Sequence, residues 1–165
     1  MKIVTVGLDL AKTLFQVHGV DSQGHIVVRK QLCRADVLPF FAKLEPCVVG
    51  MEACGSSDYW GRELTKLGHT VRLIAPQFVR PYVKSNKTDA ADAEAICEAV
   101  TRPHMRFVPI KTQAQQTMLS LHRARAGLVK SRTALANQIR GLLSEFGIVL
   151  PRGRCQLTER KAARW

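Results

Sequence analysis

The sequence predicts an α/β fold: a mixed sheet with flanking helices, followed by a long helical arm. Short β-branched runs alternate with segments of helical period. Three strands come in direct succession at the start, and near Thr112 the pattern changes to one uninterrupted helix.

Ile3 to Leu8 is a strand that ends at Asp9, and Thr13 to Val20 alternates as a second. Asp21-Ser22-Gln23-Gly24 signals a hairpin turn into a third strand, His25 to Leu32, giving an antiparallel meander. Val37, Leu38, Phe41 and Leu44 set a helical period over Ala35–Leu44. Pro46 to Met51 is a buried strand ending at Glu52, and Tyr59 to Leu67 is a helix stopped by Gly68. His69 to Ala75 is a strand closed by Pro76. A basic loop, Arg80 to Lys87, then leads into a helix over Thr88–Thr101.

From Thr112 to Phe146 the chain reads as one helix without proline. Leu121, Leu128, Leu135 and Leu142 recur every seven residues, with Arg125, Arg132, Ile139 and Phe146 as the companion seam positions and Met118 leading. This is a coiled-coil register with two arginines in it. Packing on its own domain and pairing as a dimerisation arm are both open readings. The expected organisation is an α/β domain over 1–111, the arm over 112–147 and a basic tail over 148–165, expected to be disordered.

The 165 residues suit one domain plus an appendage. No run of 18 or more apolar residues occurs, as a membrane span would need, and no secretory leader is recognisable; the expected location is the cytoplasm. Five scattered cysteines without a C-x-x-C pair read as buried free thiols. The net charge of +12 is uneven: residues 1–101 hold 12 Lys/Arg against 11 Asp/Glu, and residues 102–165 hold 13 against two. An excess gathered on one segment suggests a polyanionic partner.

Carboxylates stand at three informative places. Asp9 ends the first strand, Glu52 ends the fourth, and Asp89 with Asp92 opens a helix, three residues apart and therefore on one face. An acid after a strand also caps turns, and acids in a first helical turn also suit the helix dipole. Their joint placement raises the chemical reading. Ends of neighbouring strands converge on one sheet edge, where an incoming helix can bring the last pair. Carboxylates about 5 Å apart repel by roughly 3 kcal/mol at an effective dielectric near 20, so four together need cations. Mg²⁺ takes oxygen ligands, and two such ions about 4 Å apart stabilise both oxygens of an in-line phosphodiester displacement.

The segments GLDLAKTLFQVHGVD, MEACGSSDYWGREL, GHTVRLIAPQFVRPYVKSNKTDAADAEAICEA, RPHMRFVPIKT and QQTMLSLHRAR resemble the DEDD transposases of the insertion sequence 110 family, from Ile3 to about Pro151. The resemblance implies a RuvC-like (ribonuclease-H-like) domain acting on DNA strands. Its acidic set falls on Asp9, Glu52, Asp89 and Asp92, holding Mg²⁺ with Mn²⁺ as the alternative ion. It implies a structured guide RNA from the element beside the DNA partner. Family members also continue into a domain that supplies a nucleophilic Ser. The chain ends at Trp165, so it is expected to be an N-terminal part, and Ser56, Ser57, Ser131 and Ser144 do not match that nucleophile.

Lys12, Arg80, Lys84 and Lys87, around the acids, and Arg123, Arg125, Lys130, Arg132 and Arg140, along the arm, are candidate phosphate contacts. Six to ten such contacts would weaken binding by about 10³ to 10⁵ between low and moderate salt. His18, His69, His104 and His122 are isolated, and Tyr59, Trp60 and Phe78 fit a core better than base-stacking platforms. A non-catalytic nucleic-acid binder remains the alternative. An ATPase of the actin type would need a Gly-rich turn after its first Asp; Leu10-Ala11-Lys12 follows Asp9 here.

Overall fold

The structure, a computed structural model, describes residues 2–83 and 89–152, with Asp89 described by its backbone alone. It divides into two units, Met1–Thr112 and Gln113–Trp165.

The first unit is built on a six-stranded mixed sheet of order β3-β2-β1-β4-β5-β6. β1 (Thr5–Asp9), β2 (Leu14–Val20) and β3 (Ile26–Cys33) form the expected antiparallel meander. β4 (Val48–Glu52) and β5 (Thr70–Ile74) extend it in parallel from β1. β6 (Phe107–Val108) closes the edge antiparallel to β5; two residues are too few for any period to betray.

The parallel strands are covered on both faces, so their side chains divide by the period of two. Val6, Leu8, Val49, Met51 and Leu73 enter one core with Phe41 of α1 (Val37–Phe41) and with Trp60 and Leu64 of α2 (Ser57–Lys66). Phe15 meets Trp60 edge-on at 5.1 Å. The opposite face packs Ile74 against Ile96 and Val100 of α4 (Asp89–Val100). Each buried aliphatic or aromatic side chain contributes about 1.5–3 kcal/mol.

Local chemistry sets the boundaries of these elements. Gly68, at φ 91°, lets its own N–H reach the Thr65 carbonyl and the His69 N–H reach that of Leu64, closing α2. From Pro76 to Tyr82 the chain is helical, where a loop was expected to start at Arg80: α3 (Pro76–Val79) runs into a 3₁₀ turn, Arg80–Tyr82, and residues 84–87 of that expected loop lie outside the described residues. Pro76 opens that helix because its fixed φ suits the first position.

The end of the first unit is strapped to α2. Asp58 accepts the Lys111 backbone N–H at 2.9 Å and its ammonium at 3.1 Å, while Arg62 donates to the Lys111 carbonyl at 2.7 Å. The ammonium is screened by solvent, so the bond to the backbone dominates. Asp58→Ala leaves that N–H without its partner and is expected to cost about 1–3 kcal/mol, read as a lower urea midpoint at unchanged slope.

The second unit holds α5 (Gln113–Ser144), which starts and stops within two residues of the expected helix. No residue of α5 is buried, and Met118, Leu121, Leu128, Leu135, Ile139 and Leu142 are exposed. Among the described residues no helix is long and apolar enough to cross a membrane.

A candidate metal centre and nucleic-acid surface

Two glycines at one register form the floor on which the candidate site is assembled. Gly7 and Gly50 are direct neighbours on the parallel strands β1 and β4. A Cβ on Gly7 would collide with the Ala93 carbonyl and lie 2.6 Å from the Cys97 nitrogen. One on Gly50 would lie 2.9 Å from the Val100 Cβ and 3.2 Å from the Ile96 side chain. Helix α4 therefore rests almost directly on the sheet backbone.

Its direction follows from the same contacts. The Cys97 thiol reaches the Thr5 carbonyl at 3.9 Å, whereas Ala93 lies over Gly7. Going back along α4 thus goes forward along β1, about 6 Å for four helical residues against about 6.6 Å for two strand residues. Helix and strands run in opposite directions, and the first turn of α4 lies at the strand ends that carry Asp9 and Glu52. Those two acids follow the Leu8–Met51 pair by one residue each, on strands about 4.8 Å apart. By the period of two they share the face of Gly7 and Gly50.

Glu52 and Asp92 line one cavity of about 390 Å³ with Pro76, Val79, Arg80 and Val83. Asp9 is half-buried at the adjoining strand end and is not part of that lining. The side chain of Asp89 lies outside the described residues, as do Lys84 and Lys87. Among the described residues no three His, Cys, Asp or Glu side chains come close enough to hold a metal ion. The lining offers oxygen ligands without a thiolate or imidazole, a donor chemistry that fits a hard cation such as Mg²⁺.

The family model of the DEDD transposases of insertion sequence 110, described as "Transposase", matches residues 6–148. The chain belongs to this family. A Pseudomonas aeruginosa relative named "Probable family 20 transposase" is 62% identical over 152 residues, covering 92% of this chain and 45% of the relative. A Yersinia enterocolitica "Transposase for insertion sequence element IS1328" is 47% identical over 151 residues, again 92% of this chain and 45% of the relative. This transposase-family chain thus spans less than half the length of these curated relatives. Among solved structures, Thermus RuvC, described as "T. thermophilus RuvC in complex with Holliday junction substrate", is similar at a TM-score of 0.47 and 12% identity. The similarity covers 64% of this chain and 99% of that one.

Of the candidate phosphate contacts in this family member, Arg80 is at the rim of the acidic cavity and Lys12 is exposed in the turn after β1. Arg123, Arg125, Lys130 and Arg132 are exposed on α5; Arg140 is half-buried and donates to Asn137 at 3.2 Å. At 100° per residue, Arg125 and Arg132 stand in the leucine seam while Arg123 and Lys130 occupy the opposite face.

Sequence reasoning missed the wall that α3 and its 3₁₀ turn give the cavity, although Pro76 was a usable signal for a helix start. The cysteines need a correction. Cys47 and Cys97 are buried, and burial pushes both thiols up to about 11, for Cys97 with help from Glu94 and Glu98. Cys33 and Cys54 are exposed, one at the end of the outer strand β3 and one in the loop after β4; Cys155 lies outside the described residues. Tyr59 is exposed too, because it lies on the outer side of α2 from Trp60 and Leu64. His69, isolated in the sequence, is a buried packing residue with both ring nitrogens satisfied: Nδ1 accepts the Cys47 N–H at 3.3 Å, so Nε2 carries the proton donated to the Phe41 carbonyl, 3.1 Å away.

Proposed function

We propose that this chain is the metal-binding, DNA-handling part of a transposase, with Asp9, Glu52, Asp89 and Asp92 as the ligands of Mg²⁺ or Mn²⁺. The observation that carries the reading is the shared cavity of Glu52 and Asp92, which come from a strand end and a helix start far apart in sequence. When bound, the ion stabilises charge on the attacking and leaving oxygens of a phosphodiester. Arg80 at the rim holds a phosphate against the acidic site, and Lys12 flanks it. Strand cleavage and exchange in transposition of an insertion sequence is the reaction this arrangement serves. Completion by a Ser-bearing domain and target choice by a structured guide RNA belong to the same proposal.

The arm carries the rest. Its five cations and absence of acids suit a nucleic-acid backbone, and its exposed seam suits pairing with a second copy. These roles compete for Arg125 and Arg132. Five phosphate contacts give a salt slope of about −4.5, roughly 500-fold weaker binding from 50 to 200 mM; three contacts, with the seam arginines withdrawn, give about −2.7 and roughly 40-fold. Filter binding of duplex DNA across that range reads the slope, and a slope near zero rejects the role. Calorimetric titration of the chain with Mn²⁺ tests the metal site directly. Equal heats from wild type and Glu52→Gln would reject it and leave the non-catalytic binder.

A further inference from the structure

The segment Pro76–Tyr82 has two sides, of which the acidic cavity uses one. Its other side, with Phe78, Pro81 and Tyr82, forms a second cavity of about 450 Å³ against Arg102, His104 and Arg106. This volume lies within the range of small-ligand sites, about 300–1,000 Å³. We infer that it is a binding site for an unpaired nucleotide of a nucleic-acid strand, its base stacked among Phe78, Tyr82 and Arg102 and its phosphate held by Arg106 and His104.

The chemistry of the lining carries this. Aromatic rings and arginine planes stack any base, and adjacent cations track the phosphate. Arg102 stands over the Tyr82 ring at 5.5 Å and is tethered there by an ion pair with Glu98, so the stacking surface is held in place. Arg106 and His104 are exposed and, among the described residues, have no ion-pair or hydrogen-bond partner, so both are left for an anion. No acid contributes to the lining. Phe78 is half-buried against the second core, so it serves as wall as well as platform. The inference rests on the proposed nucleic-acid role in one respect: a strand opened at the acidic cavity would meet this second cavity through the same short helical segment.

The test uses the full chain with EDTA present, so a failed metal site does not affect it. The probes are single-stranded DNA and RNA oligonucleotides carrying one 2-aminopurine, with duplex DNA as control. Tyr82→Leu keeps apolar packing but removes the aromatic face. Arg106→Gln changes an exposed side chain, and the fold is expected to keep its stability. Tyr82→Leu should weaken single-strand binding roughly 5- to 150-fold, the range for loss of one stacked base, and restore the fluorescence that stacking quenches. Tyr82→Phe should bind as wild type, and duplex binding should be unchanged throughout. Loss in the DNA arm alone, or in the RNA arm alone, supports the site and names the source of the strand. Unchanged single-strand binding in Tyr82→Leu and Arg106→Gln, or duplex binding lost in parallel, overturns it.

Discussion

Addition of 10 mM Mg²⁺ or Mn²⁺ should raise the melting temperature of this chain by roughly 10 °C, and Glu52→Gln or Asp92→Asn should abolish the rise. A ligand at about 100 times its dissociation constant stabilises the folded state by about 2.7 kcal/mol. For a unit of some hundred residues each kcal/mol is worth about 4 °C. The variants carry a second, opposite signature. Without metal, removing one charge relieves carboxylate repulsion, so each variant should melt at or slightly above the wild type. A purely structural acid would do the reverse, melting lower in either buffer. Scanning calorimetry with EDTA and with Mn²⁺ separates the two, and an identical wild-type curve in both buffers ends the metal assignment.

Gly7→Val should destabilise the first unit by at least about 3 kcal/mol, beyond the ordinary cost of overpacking. The clash is with the carbonyl of Ala93 and the nitrogen of Cys97, and a helix backbone cannot rotate away as a side chain can. Gly55→Val is the control, because nothing lies within 4 Å of a Cβ there and its backbone is outside the left-handed region. Urea denaturation followed by Trp60 fluorescence reads the difference. Equal midpoints for the two variants would mean that α4 does not rest on β1 as described.

Much of this was legible in the residues. The antiparallel meander, β4, β5 and the long helix follow from periodicity, and the acids follow from their places at strand ends and a helix start. What hid the rest was physical. β6 is two residues long and is made by its pairing with β5 rather than by a pattern of its own. The helical stretch from Pro76 was hidden by the basic residues from Arg80 on, which read as a loop of candidate phosphate contacts. The two exposed thiols could not be told from the buried ones, because burial of a small side chain depends on the layer above it. The glycines were legible in principle: Gly7-Leu8-Asp9 and Gly50-Met51-Glu52 repeat one spacing, but only the register of β1 with β4 shows that both lie under the same helix.

That spacing ties the acids to the main chain. Asp9 and Glu52 each sit two residues past a glycine that touches α4, so the offset between helix and carboxylate is set by strand rise, about 6.6 Å. Substitutions elsewhere in the core can redistribute volume among Leu, Val and Phe without altering that offset. The vertical position of the helix has no such tolerance, since a single methyl group at either glycine would lift Asp92 away from Glu52. Sequence drift in this protein should therefore be broad in the layer beneath α2 and almost absent at Gly7 and Gly50.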